Sequence, residues 1–144
     1  MEIQSLKLIV TEADANLLLA EFAPKDLDVG NLRIRLTPEG VRVTGDTAAL
    51  LFKVSFETLW DVSVLDEEVS LKLASLKVAG LPAGKLRGVL FKVLRDVVSG
   101  KPGIAVEDER VRIDVNEIFH SREVPLSVRL TAIRCEAGLV VIEA

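Results

Sequence analysis

The chain has 144 residues, 49% hydrophobic and 28% charged, with a net charge of −4 and a pI near 5.1. That is enough apolar mass for one domain, 1–144, with a real core, and too much for a disordered chain. With aromatics at 4% and no basic run, the chain lacks both the electrostatic footprint and the stacking platforms of a nucleic-acid binder.

The N-terminus, MEIQSLKLIVTEADANLLLAE, lacks the basic start and long apolar core of a signal peptide. No window reaches the length of a transmembrane helix. As given, the chain reads as cytoplasmic. The one cysteine, Cys135, excludes an internal disulfide.

Ser5 to Val10 alternates through Leu6, Leu8 and Val10 and predicts a short strand. Thr11 then caps a helix whose first turn carries Glu12 and Asp14, and Thr11 with Asp14 forms a capping box with Asp in place of Glu. The helix runs through Leu17, Leu18 and Phe22 to Ala23, and Pro24 ends it. Lys25 to Gly30 is a loop. Asn31 to Thr37 sets Leu32, Ile34 and Leu36 against Arg33 and Arg35, the signature of a half-buried strand. Pro38-Glu39-Gly40 is turn chemistry, so a partner strand starts at Val41.

From Val41 the strand pattern continues past Gly45, which marks a bulge or bend, to Phe52, Val54 and Phe56. Taken as one strand, the 16 residues of Val41 to Phe56 extend roughly 50 Å, far beyond the usual length. Thr58 to Leu65 carries on through Trp60, Val62 and Val64. Asp66-Glu67-Glu68 is a polar turn, and Val69 to Val78 returns.

Gly84 to Gly100, GKLRGVLFKVLRDVVSG, organises the rest. Leu86, Val89, Leu90, Val93, Leu94 and Val97 recur at i, i+3, i+4, i+7, i+8 and i+11 and form one face of a helix. Phe91 and Val98 fall off that stripe and widen it. Gly100 and Pro102 stop it. A hairpin follows (Gly103 to Val106 and Arg110 to Val115 around Glu107-Asp108-Glu109), then a short helical turn over Asn116 to Phe119. The last strands are Leu126 to Thr131 with Ile133 to Cys135, and Leu139 to Ile142 after the Glu136-Ala137-Gly138 turn. ANLLLAEF before NLRIRLTPEGVRVTG echoes LRGVLFKVL before GIAVEDERVRIDV, as a repeated helix–hairpin unit would.

No catalytic constellation is visible. His120 and Cys135 are each the only residue of their kind and stand in no nucleophile setting. Metal spacing is absent, PAGKLRG lacks the phosphate-loop pattern, and the acids at 66–68 and 107–109 sit in turns where neighbours diverge. The chain is expected to be no enzyme and to need no metal or cofactor. Carboxylate hydrolase or transferase chemistry in a cleft is a third, weaker reading.

The order of these stretches resembles a family. Thr11-Glu12-Ala13 leads into the Asn16-Leu17-Leu18 helix, Gly40 to Gly45 begins a long antiparallel run, and LKVAGLPAGKLRGVLFKVL, GIAVEDERVRIDV and LTAIRCEAGLVVIEA follow. Over Leu6 to Ile142 the chain is similar to single-module bacterial members of the tubular lipid-binding (TULIP) superfamily, including bacterial phospholipid-binding proteins. The resemblance implies an α+β fold in which a long, strongly twisted antiparallel sheet wraps one or two amphipathic helices. It also implies an apolar groove for acyl chains lined by Leu17, Leu18, Phe22, Phe52, Val54, Phe56, Leu86, Leu90, Val93 and Leu94, and a homodimer. Many bacterial relatives are exported or anchored, and no leader is seen here. The leading expectation is thus non-enzymatic binding of a lipid, fatty acid or other hydrophobic small molecule. The alternative is a protein-interaction or structural module with a filled core.

Overall fold

The computed structural model describes residues 1–22, 29–49 and 52–144. Pro24 and most of the Lys25–Gly30 loop lie outside these residues, as do the side chains of Phe22 and Phe52. In chain order the elements are β1 (Glu2–Ile3), β2 (Lys7–Thr11), α1 (Glu12–Phe22), β3 (Val29–Thr37), β4 (Gly40–Ala49), β5 (Phe52–Leu65), β6 (Glu68–Val78), β7 (Leu81–Pro82), a 3-10 turn (Gly84–Leu86), α2 (Arg87–Val98), β8 (Ile104–Glu107), β9 (Arg110–Ile113), α3 (Val115–Ser121), β10 (Ser127–Val128), β11 (Ala132–Glu136) and β12 (Leu139–Glu143). The fold is α+β: a seven-stranded antiparallel sheet with helices packed against it.

The large sheet runs β3-β4-β5-β6-β9-β8, with β7 paired to the end of β6. Val41 to Phe56 is a hairpin rather than one long strand, because Ala49 pairs with Phe52 and the register runs back to Val41 opposite Trp60. Alternation survives a reversal when both arms keep the same phase, so periodicity alone did not reveal it. The longest strand is β5, with 14 residues. Gly45 carries no bulge: β4 pairs with β5 without a break, and the irregularity lies across from it on β3, between Gly30 and Arg33. The extra residue there is Asn31, at φ 53°. Gly45 stays side-chain-free because the Phe56 ring occupies the space a Cβ would take.

Residues opposite one another in register share a side of the sheet. One side carries Leu36, Val41, Val43, Phe56, Trp60, Val62, Val64, Val69, Leu71, Leu73, Leu76, Val78, Val111 and Ile113. The other is laced by ion pairs, Arg42 with Glu57 (2.8 Å) and Arg112 with Glu68 (2.6 Å) and Glu107 (3.0 Å). Two covers share the apolar side. The 3-10 turn and α2 close over Trp60, Leu73 and Leu76. The β11-β12-β2 sheet, the parallel β1–β10 pair and α3 close over Val62, Val64, Val69 and Ile113, with Val128 and Leu130 buried between. Leu71 packs in both clusters and joins them.

Helix α1 binds the edge of the large sheet through polar groups. Its start is the predicted box: Asp14 N–H donates to Thr11 Oγ1 (3.2 Å) and Thr11 N–H to Asp14 Oδ2 (3.1 Å). The Thr11 backbone N–H, then its hydroxyl, holds the Asp14 carboxyl below its ordinary pKa. This contribution is complete above the ordinary carboxylate range and is lost as pH falls through the lowered value. One turn on, Asn16 mimics a neighbouring strand. Its Nδ2 donates to Ile34 O (2.9 Å) and its Oδ1 accepts from Ile34 N–H (2.7 Å). Glu12 Oε1 accepts from Leu36 N–H (2.8 Å), and Gly138 N–H donates to Leu36 O (2.8 Å). The outward backbone groups of Ile34 and Leu36 are thereby satisfied, which removes that stretch of open edge.

Helix α3 repeats the device. Asp114 caps it by accepting from Glu117 N–H, and Asn116 exchanges two hydrogen bonds with Val128 (2.8 and 2.7 Å). The two helix–hairpin stretches that echo in sequence occupy the two flanks of the sheet: α1 precedes β3–β4 and α2 precedes β8–β9. In each the second strand lies inward, beside β5 or β6.

Asn16→Ala leaves two half-buried backbone groups of Ile34 without partners and should destabilise the fold by about 1–3 kcal/mol. Asn16→Asp keeps the acceptor, loses the donor and should fall between. Denaturant midpoints at constant slope measure both, and an Ala variant as stable as the parent would show that α1 does not hold this edge.

Candidate functional site

Helix α2 is placed by Phe91. Its side chain is 2% exposed, and its ring meets Trp60 edge-on at a centroid separation of 5.9 Å and 80° between planes. Leu90, Leu94 and Ala83 pack around this pair with Val41, Val43, Val78, Val106 and Val111. Arg87, on the same side, reaches off the helix to Glu109 (2.6 Å) and to Ala74 O (3.3 Å). The expected stripe therefore turns about its own axis: Phe91, expected at the margin, is the centre of the buried arc. The sheet decides this, because a large ring fills the hollow beside Trp60 better than a branched aliphatic does.

This rotation leaves one shoulder of the apolar arc outside. Leu86 is 45% exposed, Val89 60% and Val93 39%. Leu81, on β7 just before the helix, is 69% exposed. It lies opposite Val78, which lies opposite Phe56, which lies opposite Gly45. The row continues toward Leu32, whose Cδ2 also borders the space at Gly45. Val54 lies one pleat further along β5 on the same side. Phe56, Val54, Val78 and Leu32 are all half-buried. The row, which ends on the exposed Leu81, is an apolar tract that leads in sequence into the 3-10 turn and α2, where the exposed shoulder begins at Leu86.

The residues named from the sequence divide accordingly. Leu90 and Leu94 belong to the packed cluster under α2. Val54 and Phe56 lie on the half-covered row, and Leu86 and Val93 on the exposed shoulder. Leu17 and Leu18 are exposed on α1, turned away from β3, because the face built on Glu12 and Asn16 takes that contact. The named residues thus fall on four separate elements: Val54 and Phe56 on β5, Leu86 in the 3-10 turn, Leu90, Val93 and Leu94 on α2, and Leu17 and Leu18 on α1. Leu81 escaped the sequence reading. Its signal was the Ala79-Gly80 pair, which turns the chain at φ 52° and 77° so that Leu81-Pro82 pairs back on β6.

Polar chemistry is dispersed. A depression of about 290 Å³ opens beside Phe56 and Gly45, among Asn31, Asp46, Glu57 and Lys77, with Asn31 donating to Asp46 (2.7 Å). Another of about 470 Å³ lies among Leu65, Asp66, Lys72, Glu107, Asp108, Glu109, Arg110 and Arg112. Its Arg112 is tied to Glu107 and Glu68, which raise its already high pKa. Cys135 is half-buried, and burial pushes its thiol pKa up. His120 is exposed on the last turn of α3. No group of three or more His, Cys, Asp or Glu that could hold a metal occurs among the described residues. No helix among them is long and apolar enough to cross a membrane. Comparison with family models, with curated proteins and with solved structures finds no match.

The rotation of α2 makes a sharp contrast testable. Phe91→Ala should cost about 3–5 kcal/mol, a large ring lost from a packed core. Val89→Ser, on the same helix, should change stability by no more than about 0.5 kcal/mol. Equal losses in guanidinium unfolding would place Val89 in the core and contradict the orientation described.

Proposed function

We propose that the chain is a non-enzymatic binder of a lipid, fatty acid or similar apolar molecule. The observation that carries this reading is the half-covered row Leu81, Val78, Phe56 and Leu32, with Val54 beside it. A contiguous apolar row that water can reach marks a binding site more often than single exposed apolar residues do. An acyl chain laid along the row removes both its own surface and that of the row from water, at roughly 0.8 kcal/mol per buried methylene. The row is built on paired strands, so it is held in shape before the ligand arrives. The likeness in element order to tubular lipid-binding proteins supports the same reading.

A second reading has its own support. Phe91 is seated directly on Trp60, which fills the space under the middle of α2 with side chains. A module that uses the open tract to pack against a protein or a second copy also fits that filled core.

Native mass spectrometry of the purified protein, followed by organic extraction, separates the two. Lipid-mass adducts are expected on the parent. Val54→Asp with Leu81→Asp should remove them while circular dichroism stays unchanged. A clean apo mass for the parent, or adducts indifferent to the double substitution, would overturn the lipid reading and leave the interaction module.

A further inference from the structure

The exposed shoulder of α2 differs in charge from the rest of the molecule. Residues 81–101 hold five cations, Lys85, Arg87, Lys92, Arg95 and Lys101, against the one acid Asp96. That is +4 in a chain of net −4, so the remainder carries −8. Arg87 is spent on Glu109. Lys85, Lys92, Arg95 and Lys101 are exposed and have no ion pair among the described residues. Lys92 follows Val89 by three residues and lies about 60° from it around the helix, with Asp96 about 20° from Val89 on that flank two turns along. Lys85 lies in the 3-10 turn just before. Arg95, about 40° from Phe91, falls toward the sheet. Leu86, Val89 and Val93 thus form an exposed apolar strip with a basic border, mounted on a domain that is otherwise acidic.

We infer that this shoulder docks on an anionic lipid surface, with Leu86, Val89 and Val93 at the headgroup boundary and Lys85 and Lys92 on the lipid charges. The pattern is that of an interfacial helix, apolar on one side and cationic beside it. Charge complementarity selects the occupant. A second copy would oppose the same cations to themselves across a two-fold axis, and a neutral partner would leave them unmatched. The acidic remainder of the domain is repelled by the same surface, which fixes the orientation: α2 down, the ion-paired outer side of the sheet away. The inference deepens the lipid reading by naming the kind of surface from which the ligand would be taken. It rests on the outer side of α2 and its cations rather than on the strand row, so each can fail alone.

Co-sedimentation of the full chain with vesicles of phosphatidylcholine alone, or mixed with phosphatidylglycerol, tests it. Binding is expected only to the mixed vesicles and should weaken as salt is raised. Each cation removed near the surface should cost roughly fivefold, so Lys85→Glu with Lys92→Glu should cost about twenty-five-fold or more. Lys85→Arg with Lys92→Arg should retain binding. Val89→Ser with Val93→Ser should weaken it at every salt concentration. Equal binding to neutral vesicles, no binding to either, or indifference to the charge reversal would overturn the inference. So would a dimer that dissociates on Val89→Asp, which would assign the shoulder to a second copy. Lipid extracted from the protein together with no vesicle binding would overturn this inference and spare the ligand reading. Vesicle binding by a lipid-free protein would do the reverse.

Discussion

The edge of the Trp60 ring against Phe91 sets the position of the helix over the sheet, and most of what is distinctive in the molecule follows from it. Trp60 stands near the middle of the longest strand, its indole N–H donated to the buried Thr58 hydroxyl at 2.8 Å, and that hydroxyl in turn donated to Val43 O at 3.2 Å. The ring is therefore held in direction by its own strand pair, independently of the helix, and its polar atom is satisfied inside the core. Phe91 can meet it in only one rotation of α2. That rotation buries Leu90 and Leu94 and sends Leu86, Val89 and Val93 outward.

The same constraint explains how one apolar sheet side is shared. Leu71 bridges two clusters, one under α2 and one under the small sheet and α3. The helix is short, 12 residues, or about 18 Å at 1.5 Å per residue, and β5 is much longer than it. Among the described residues, neither cluster includes Val54 or Phe56, at the start of β5. The open row is thus a consequence of length mismatch between a short helix and a long hairpin, and its chemistry is set by the same alternation that builds the core.

Much of the architecture could be read from the chain. Alternation located β3, β9 and the first half of β6, the Glu136-Ala137-Gly138 turn located β12, Thr11 with Asp14 located the start of α1, and Asp66-Glu67 located the central turn, where both residues adopt positive φ. Less legible were features that depend on what an element meets. Periodicity marks the apolar arc of α2 but not its centre, since Phe91 gains its place from a ring 31 positions away in sequence. Leu17 and Leu18 look like a buried face on α1, yet the partner is a strand edge of bare N–H and C=O groups, which selects Glu12 and Asn16. The same misfit hides Asn116: an amide that imitates a strand leaves no pattern in a single sequence. Of the groove residues expected, Val54 and Phe56 keep a place at the open row because strand parity carried them to the apolar side. Leu90 and Leu94 went into the core because helix rotation did.

Because the chain has a single tryptophan, the emission of Trp60 reports directly on the contact from which this account starts. The native protein should emit well to the blue of the unfolded chain and resist quenching by acrylamide. In the Phe91→Leu variant, which keeps an apolar side chain, the emission should move to the red and quenching should rise while the strand signature in circular dichroism persists. Native emission that matches the unfolded chain, or a Phe91→Leu spectrum identical to the parent, would contradict the seating of α2 on Trp60 and with it the exposed shoulder and the open row.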